Sequence, residues 1–432
     1  MSARGFPVRS MLAAALLLCP ASAAAQVDVG DAGPFVIRGG TVVVGNGQRL
    51  ENASVVIQDG RIAAVGSNVQ APAGATLVDA TGKFVYPGMM DASTPIGLAE
   101  IGSVQTMNLT DELGDYNPHN RALVAINVES EMIGVTRSNG VTHVITEPGG
   151  GVISGQAAVV NLSGWTWEDM AVKGTAAYVI NYPRGASFRF GGGDAEGAQQ
   201  SAAQQRTQQQ VNELKERLRT AQRYDAARAA GSTDFDLQYE AMRPLVRGEV
   251  PALVSADTED QIRGALGLQD TFGIKVIISG GDEAWKVREE LARRNVPVVL
   301  GSIQSSPGGD DPYDAIYAQP GVLHRAGVKF AFSTGGAANA RHVPYHAALA
   351  VAYGLPADAA LMALTIWPAE IFGVADQLGT IEAGKIANLF IADGDPLDVR
   401  TQVSEVFIDG RRVPLDDRHR QLYQKYNSRP KR

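Results

Sequence analysis

Five carboxylates stand just after short apolar runs, where the end of a strand can present a side chain to a shared cleft: Asp91, Glu100, Glu147, Asp257 and Asp282. Acid–base chemistry at a bond needs two such groups on either side of it, one holding its proton and one free of it. Asp91, Glu147 and Asp257 are the candidate catalytic residues on that ground, although Asp91 has the plainer use of bonding nearby backbone. Metal chemistry would draw on the histidines, which number 6: His119, His143, His324, His342, His346 and His419. Only His342 and His346 have the spacing of one helical face. Pro344 between them more naturally opens a helix and leaves His342 in the preceding loop. His143 falls in a strand-like run and reads as an interior histidine, while His119 shares a loop with Asp111, Glu112 and Asp115 that reads as a solvated turn. Glu147-Pro-Gly-Gly-Gly151 lacks the spaced glycine and lysine of a phosphate cradle. Trp165 and Trp167 offer an apolar wall over a cleft, or core packing.

These residues need a scaffold that gathers strand ends. Strand-like runs at 140–146, 250–254, 274–278, 297–300 and 328–332 alternate with helix-like stretches at 258–272 and 282–294, the pattern of parallel strands with helical crossovers. The repetition predicts an α/β fold, a closed (β/α)8 TIM-like barrel over 87–374, whose chemistry would sit at the strand C-termini. Residues 35–66 alternate with a two-residue period around an Asp59-Gly60 turn, and 387–392 and 405–409 repeat the style. Each is too short for its own core, so 35–86 and 375–414 are expected to pair into one small composite β-sandwich. Residues 191–231 interrupt the barrel with a Gln/Ala-rich tract and Val211, Leu214 and Leu218 at helical spacing. They read as a helical insertion, either a lid or oligomer contact, or a solvated excursion with its apolar stripe on the body.

The chain has 432 residues, 45% hydrophobic and 19% charged, which rules out disorder, collagen and coiled coil for the whole. Its net charge of -8 leaves no chain-wide cationic field for nucleic acid or an anionic membrane, although a local basic patch stays open. Arg4 and Arg9, the apolar run 11–18 and Ala-Ser-Ala-Ala-Ala25 have the order of a secretory signal peptide over 1–25. The mature protein is therefore expected to be periplasmic or secreted. No later run is long enough to be embedded in a membrane. The one cysteine, Cys19, falls within the signal, leaving no thiol for a metal.

Further stretches resemble the amidohydrolase superfamily, in particular its exported imidazolonepropionase-like group. They include Asp59-Gly-Arg-Ile-Ala-Ala-Val-Gly66, Pro87-Gly-Met-Met-Asp91, Ile153-Ser-Gly-Gln156, Tyr353-Gly-Leu-Pro356, Trp367-Pro-Ala-Glu370 and Leu378-Gly-Thr-Ile-Glu-Ala-Gly-Lys385. The resemblance implies a distorted barrel with a terminal β-sandwich, and zinc or a similar divalent ion that turns water into a nucleophile while an Asp manages protons. It also implies where the ligands belong. Ser93 and Pro95 stand in place of two histidines, Ser255 and Ser279 in place of two more, and Gly335 in place of the metal-binding Asp. Hydroxyls and a proline are poor anchors for a transition metal, so no metal and no cofactor is expected, and the five positions are left as pocket lining.

Two functions stay open. One is an exported relative that binds a small molecule, or pairs with an active paralogue or with itself, without hydrolysing anything. The other is a hydrolase of C–N bonds working through carboxylates or a relocated metal site.

Overall fold

A computed structural model describes residues 29–102, 104–184, 196–306 and 311–430. The expected signal peptide with Cys19, and residues 191–195 of the insertion, lie outside the described residues. In chain order the strands are β1 (Phe35–Val43), β2 (Arg49–Gln58), β3 (Arg61–Gly66), β4 (Thr76–Asp79) and β5 (Phe84–Pro87). Next come β6 (Met89–Thr94), β7 (Val141–Thr146), β8 (Ile153–Asn161), β9 (Ala171–Asn181), β10 (Ala252–Ala256), β11 (Val276–Gly280), β12 (Val298–Leu300) and β13 (Phe330–Phe332). The last three are β14 (Leu389–Ala392), β15 (Val403–Ile408) and β16 (Arg411–Val413).

The first five and last three strands form one sheet in the order β16-β15-β14-β5-β1-β2-β3, with β4 paired to β1. Its hairpin between β2 and β3 turns at Asp59 and Gly60, both with positive φ (51° and 77°), as a type I′ turn requires. The two distant parts of the chain meet where β14 lies antiparallel to β5. Phe35, Ile37, Val55, Ile57, Leu389 and Phe407 then share one buried core, which none of the short segments could build alone. Phe35 and Phe407 meet edge to face with ring centres 5.2 Å apart.

The second sheet runs from β6 to β13 with every strand beside its sequence neighbour. It curls until its first and last strands meet, where Gly335 N donates to Ser93 O at 3.2 Å, so the sheet is a nearly closed barrel. Alternating residues fill the interior: Met90, Ala92, Ile145, Val179, Leu253, Ile277, Val299 and Ala331 form a dry layer, closed at one end by Phe372 and Leu378.

The strand alternation differs from expectation at one place. β8 is antiparallel to both β7 and β9, while the remaining neighbours pair in parallel. No helix separates β7 from β8, because a reversed strand needs only a short return. The reversal has a consequence for Trp165 and Trp167. They follow the end of β8, where Leu162 N donates to Thr142 O at the start of β7, so they lie at the opposite end from the mouth and form no wall over it.

The insertion is a 34-residue helix, Glu196–Ala229. Its stripe of Val211, Leu214, Leu218 and Ala221 is buried against the body, and Asp225 bonds both Arg243 and Arg247, each at 2.8 Å, of the neighbouring segment. Burying each leucine is worth about 2 kcal/mol.

Candidate functional site

The polar layer at the barrel mouth follows from strand alternation. Leu253 and Ile277 face the interior, while Val254 and Ile278 belong to the outer core under the helices. Ser255 and Ser279, the next inward positions, therefore sit directly above the dry layer, and they are register partners across β10 and β11. Asn181 stands beside Ser255 in register on β9. On β7 the same step from Ile145 leads to Glu147. On β6 the pairing with β7 slips between Asp91 and Thr94, a bulge that re-aims side chains. Past this slip Ser93 Oγ reaches Glu147 Oε1 at 2.5 Å.

One side of the mouth is thus a cluster of Asp91, Ser93, Glu147 and the β13 end. Asp91 is 0% exposed. Its Oδ1 accepts from Thr334 N at 3.1 Å and from Ser93 N at 3.3 Å, and its Oδ2 from the Thr334 hydroxyl at 2.5 Å. Burial nonetheless pushes its carboxyl up to about 7, the three donors opposing the shift and Glu147 adding to it. Glu147 is half-buried, and burial likewise lifts its carboxyl to about 7 against the pull of Ser93. Asp91 is spent on tying β6 to β13 and lies beneath the surface of the mouth; Glu147 is the carboxyl of this side that has an opening to a ligand. Gly335, with φ 66°, is exposed at the same seam. Pro95 follows β6, and its carbonyl accepts from Leu98 N at 2.9 Å.

The other side gathers Asp257, Ser255 and Ser279. Arg184 pairs with Asp257 at 3.0 Å and donates to Ser255 Oγ at 3.2 Å. Burial, with Asp257 as the second cause, raises Asp282 to about 6, and Arg184 opposes it. Asp257 Oδ1 also lies against Gly280, where a Cβ would come within 2.0 Å of it. Asn181 Nδ2 is fixed by Gly151 O at 2.9 Å and Ser154 Oγ at 3.0 Å, and Ser333 Oγ by Leu300 O at 2.7 Å. Among the described residues, Ser279 Oγ and the buried Thr94 Oγ1 have no hydrogen-bond partner.

The predicted residues therefore fall into two groups, one around Glu147 and one around Asp257. Thr334, Arg184, Asn181 and Asp282 complete them. Asp282 was legible as a carboxylate after an apolar run; Arg184 carried no motif, and its place depends on how the chain leaves β9. Of the histidines, His346 packs behind the site, its ring bonded to the Ser333 backbone beside Thr334. His342 stands just before the helix Val343–Ala352, which has Pro344 in its first turn, and His346 is buried and held near 4 by desolvation. His143 is wholly buried, with Nδ1 2.7 Å from Thr142 Oγ1.

Neutral hydroxyls, a proline ring and a glycine stand at the positions where the superfamily resemblance would place a metal's ligands. Among the described residues no three His, Cys, Asp or Glu side chains are grouped closely enough to bind an ion. This donor set does not fit a divalent metal. What the mouth can exchange is hydrogen bonds, through the partly exposed Ser255 and Ser279 hydroxyls and the Glu147 carboxyl.

Comparison with known proteins bears on the fold around this site. The model of the amidohydrolase family matches residues 315–413. The crystal structure of an amidohydrolase from Thermotoga maritima MSB8 is similar with a TM-score of 0.76 and 27% identity, over 88% of this chain and 99% of that one. Amidohydrolase tasK of Hapsidospora irregularis is 24% identical over 390 residues, 82% of this chain and 39% of its own length. A dihydropyrimidinase of Arabidopsis thaliana is 41% identical over 69 residues, 16% of this chain and 13% of its own length. The chain thus spans less than half the length of these two curated relatives.

Proposed function

We propose that this chain, which belongs to the amidohydrolase superfamily, is an exported TIM-like barrel that binds a small molecule at its mouth, alone or beside an active paralogue, without metal-activated hydrolysis. The observation that carries the reading is the polar layer itself. Ser255 and Ser279 stand side by side above the dry interior, and Ser93 bonds Glu147 on the neighbouring strand, with serines where the superfamily resemblance calls for imidazoles. A fold can outlive the chemistry grafted on it. Ser279 supplies an unspent, partly exposed hydroxyl for a ligand's polar groups. Elemental analysis of the purified protein, together with amide, cyclic-imide and dipeptide hydrolysis assays, tests the reading. No stoichiometric metal and no turnover are expected; zinc, manganese or iron at one or more per chain with turnover would overturn it.

A second reading, hydrolysis of a C–N bond by carboxyls alone, draws support from Glu147. Its carboxyl is lifted to about 7 at the open side of the mouth and is shared with a serine hydroxyl, as a general acid would need. If turnover is found, Glu147→Gln should lower kcat by 100-fold or more, on the order of what general acid–base catalysis supplies. Unchanged turnover in that variant would remove the reading.

A further inference from the structure

The chain has a net charge of -8, yet its residues from 418 onward hold Arg418, Arg420, Lys425, Arg429, Lys431 and Arg432 with no Asp or Glu. The segment is a strongly cationic island on an acidic protein. Most of it is the helix Arg418–Asn427, which buries none of its residues. The helix is tied to the body at its first turn only. Asp417 accepts from His419 N at 2.9 Å and Arg420 N at 3.3 Å, the His419 ring meets Arg341, and Arg420 donates to Leu415 O at 3.0 Å. Beyond that turn it presents a shallow face of Leu422, Tyr423 and Tyr426 at helical spacing from His419. Tyr423 is 70% and Tyr426 63% exposed. Arg418 and Lys425 lie seven residues apart and so flank that face on one side. Lys425 Nζ sits 5.7 Å from the centre of the Tyr426 ring. Among the described residues, Arg418, Lys425 and Arg429 carry no ion pair.

We propose that this helix docks on an anionic phospholipid surface, its tyrosine face lying in the headgroup region and Arg418, Lys425 and Arg429 meeting lipid phosphates. Tyrosine suits that depth because its ring is apolar and its hydroxyl wet. Unpaired cations beside an apolar face are the arrangement that lies in a membrane interface rather than across it. No helix among the described residues is long and apolar enough to cross a bilayer, so the contact is peripheral. The overall negative charge of the body would hold the rest of the molecule off the surface, leaving the cationic helix to make the contact.

Sedimentation of the full chain with phosphatidylcholine vesicles, and with vesicles of phosphatidylcholine and phosphatidylglycerol, tests this directly. Binding is expected only to the anionic vesicles and to weaken with added salt. The triple variant Arg418→Gln, Lys425→Gln, Arg429→Gln should bind about 100-fold more weakly, each charge contributing about fivefold. Tyr423→Ser with Tyr426→Ser should also weaken binding at unchanged charge. Equal binding to both vesicle types, no binding to the anionic ones, or a triple variant that binds as the parent does would overturn the proposal. So would a lipid-free dimer, seen by analytical ultracentrifugation, that the triple variant dissolves, because the helix would then serve a second copy.

Discussion

Replacing Asp91 by Asn should change how the stability of the protein depends on pH, in a direction fixed by the environment of that side chain. Asp91 is 0% exposed, and its carboxyl is lifted from 3.8 to about 7. A raised folded-state value means the folded protein holds the proton more tightly than the unfolded chain. The associated stability is fully present below about pH 4 and is lost as pH rises through about 7. A rise of that size corresponds to about 4 kcal/mol at the far side of the window. Asparagine fills the same space, accepts from Thr334 N and does not titrate. The stability difference between parent and Asp91→Asn should therefore move against the parent by a few kcal/mol between about pH 4 and about pH 8. Glu147 shifts in the same direction in both proteins and largely cancels in the difference. Urea unfolding followed by circular dichroism at several pH values measures it. A difference that stays flat, or grows in the parent's favour as pH rises, would mean that the three hydrogen bonds from Thr334 and Ser93 outweigh desolvation, and the raised carboxyl would have to be given up.

Gly280→Ala should cost about 1–3 kcal/mol, because φ is 88° there and the new Cβ would meet Asp257 Oδ1 at 2.0 Å. Gly301→Ala at the neighbouring strand end, whose Cβ would approach no atom closer than 3.5 Å, should be close to neutral when both variants are unfolded in urea. Leu218→Ala should destabilise by about 2–5 kcal/mol, since Leu218 is 0% exposed beneath the long insertion helix; a loss below about 0.5 kcal/mol would show a helix resting loosely on the body.

Much of the scaffold could be read before folding because its signals are local. The Asp59-Gly60 turn, the apolar runs of β10 to β13 and the Thr258 cap of the helix Glu259–Phe272 each depend on a few adjacent residues. The direction of β8 could not be read, since Ile153–Asn161 is buried throughout and its reversal is set only by pairing with β7 and β9. That reversal moved Trp165 and Trp167 to the far end of the barrel. Of the site, Ser255 and Ser279 were marked only by the family resemblance and Glu147 only as a carboxylate after an apolar run; their shared inward parity is seen in the folded strands. The role of Ser93 depended on a bulge, Asp91's partner Thr334 lies 243 residues away in the chain, and Arg184 reaches Asp257 from the end of another strand. Contacts of that kind carry no local mark.

Under the proposed function, hydroxyls stand at the barrel mouth where the superfamily resemblance would place a metal's ligands, and this can be checked in a single experiment. Crystals grown with excess zinc and measured at the zinc absorption edge should show no anomalous peak between Ser93, Ser255 and Ser279. A peak there with protein side chains as its ligands would mean that the mouth is a metal site after all.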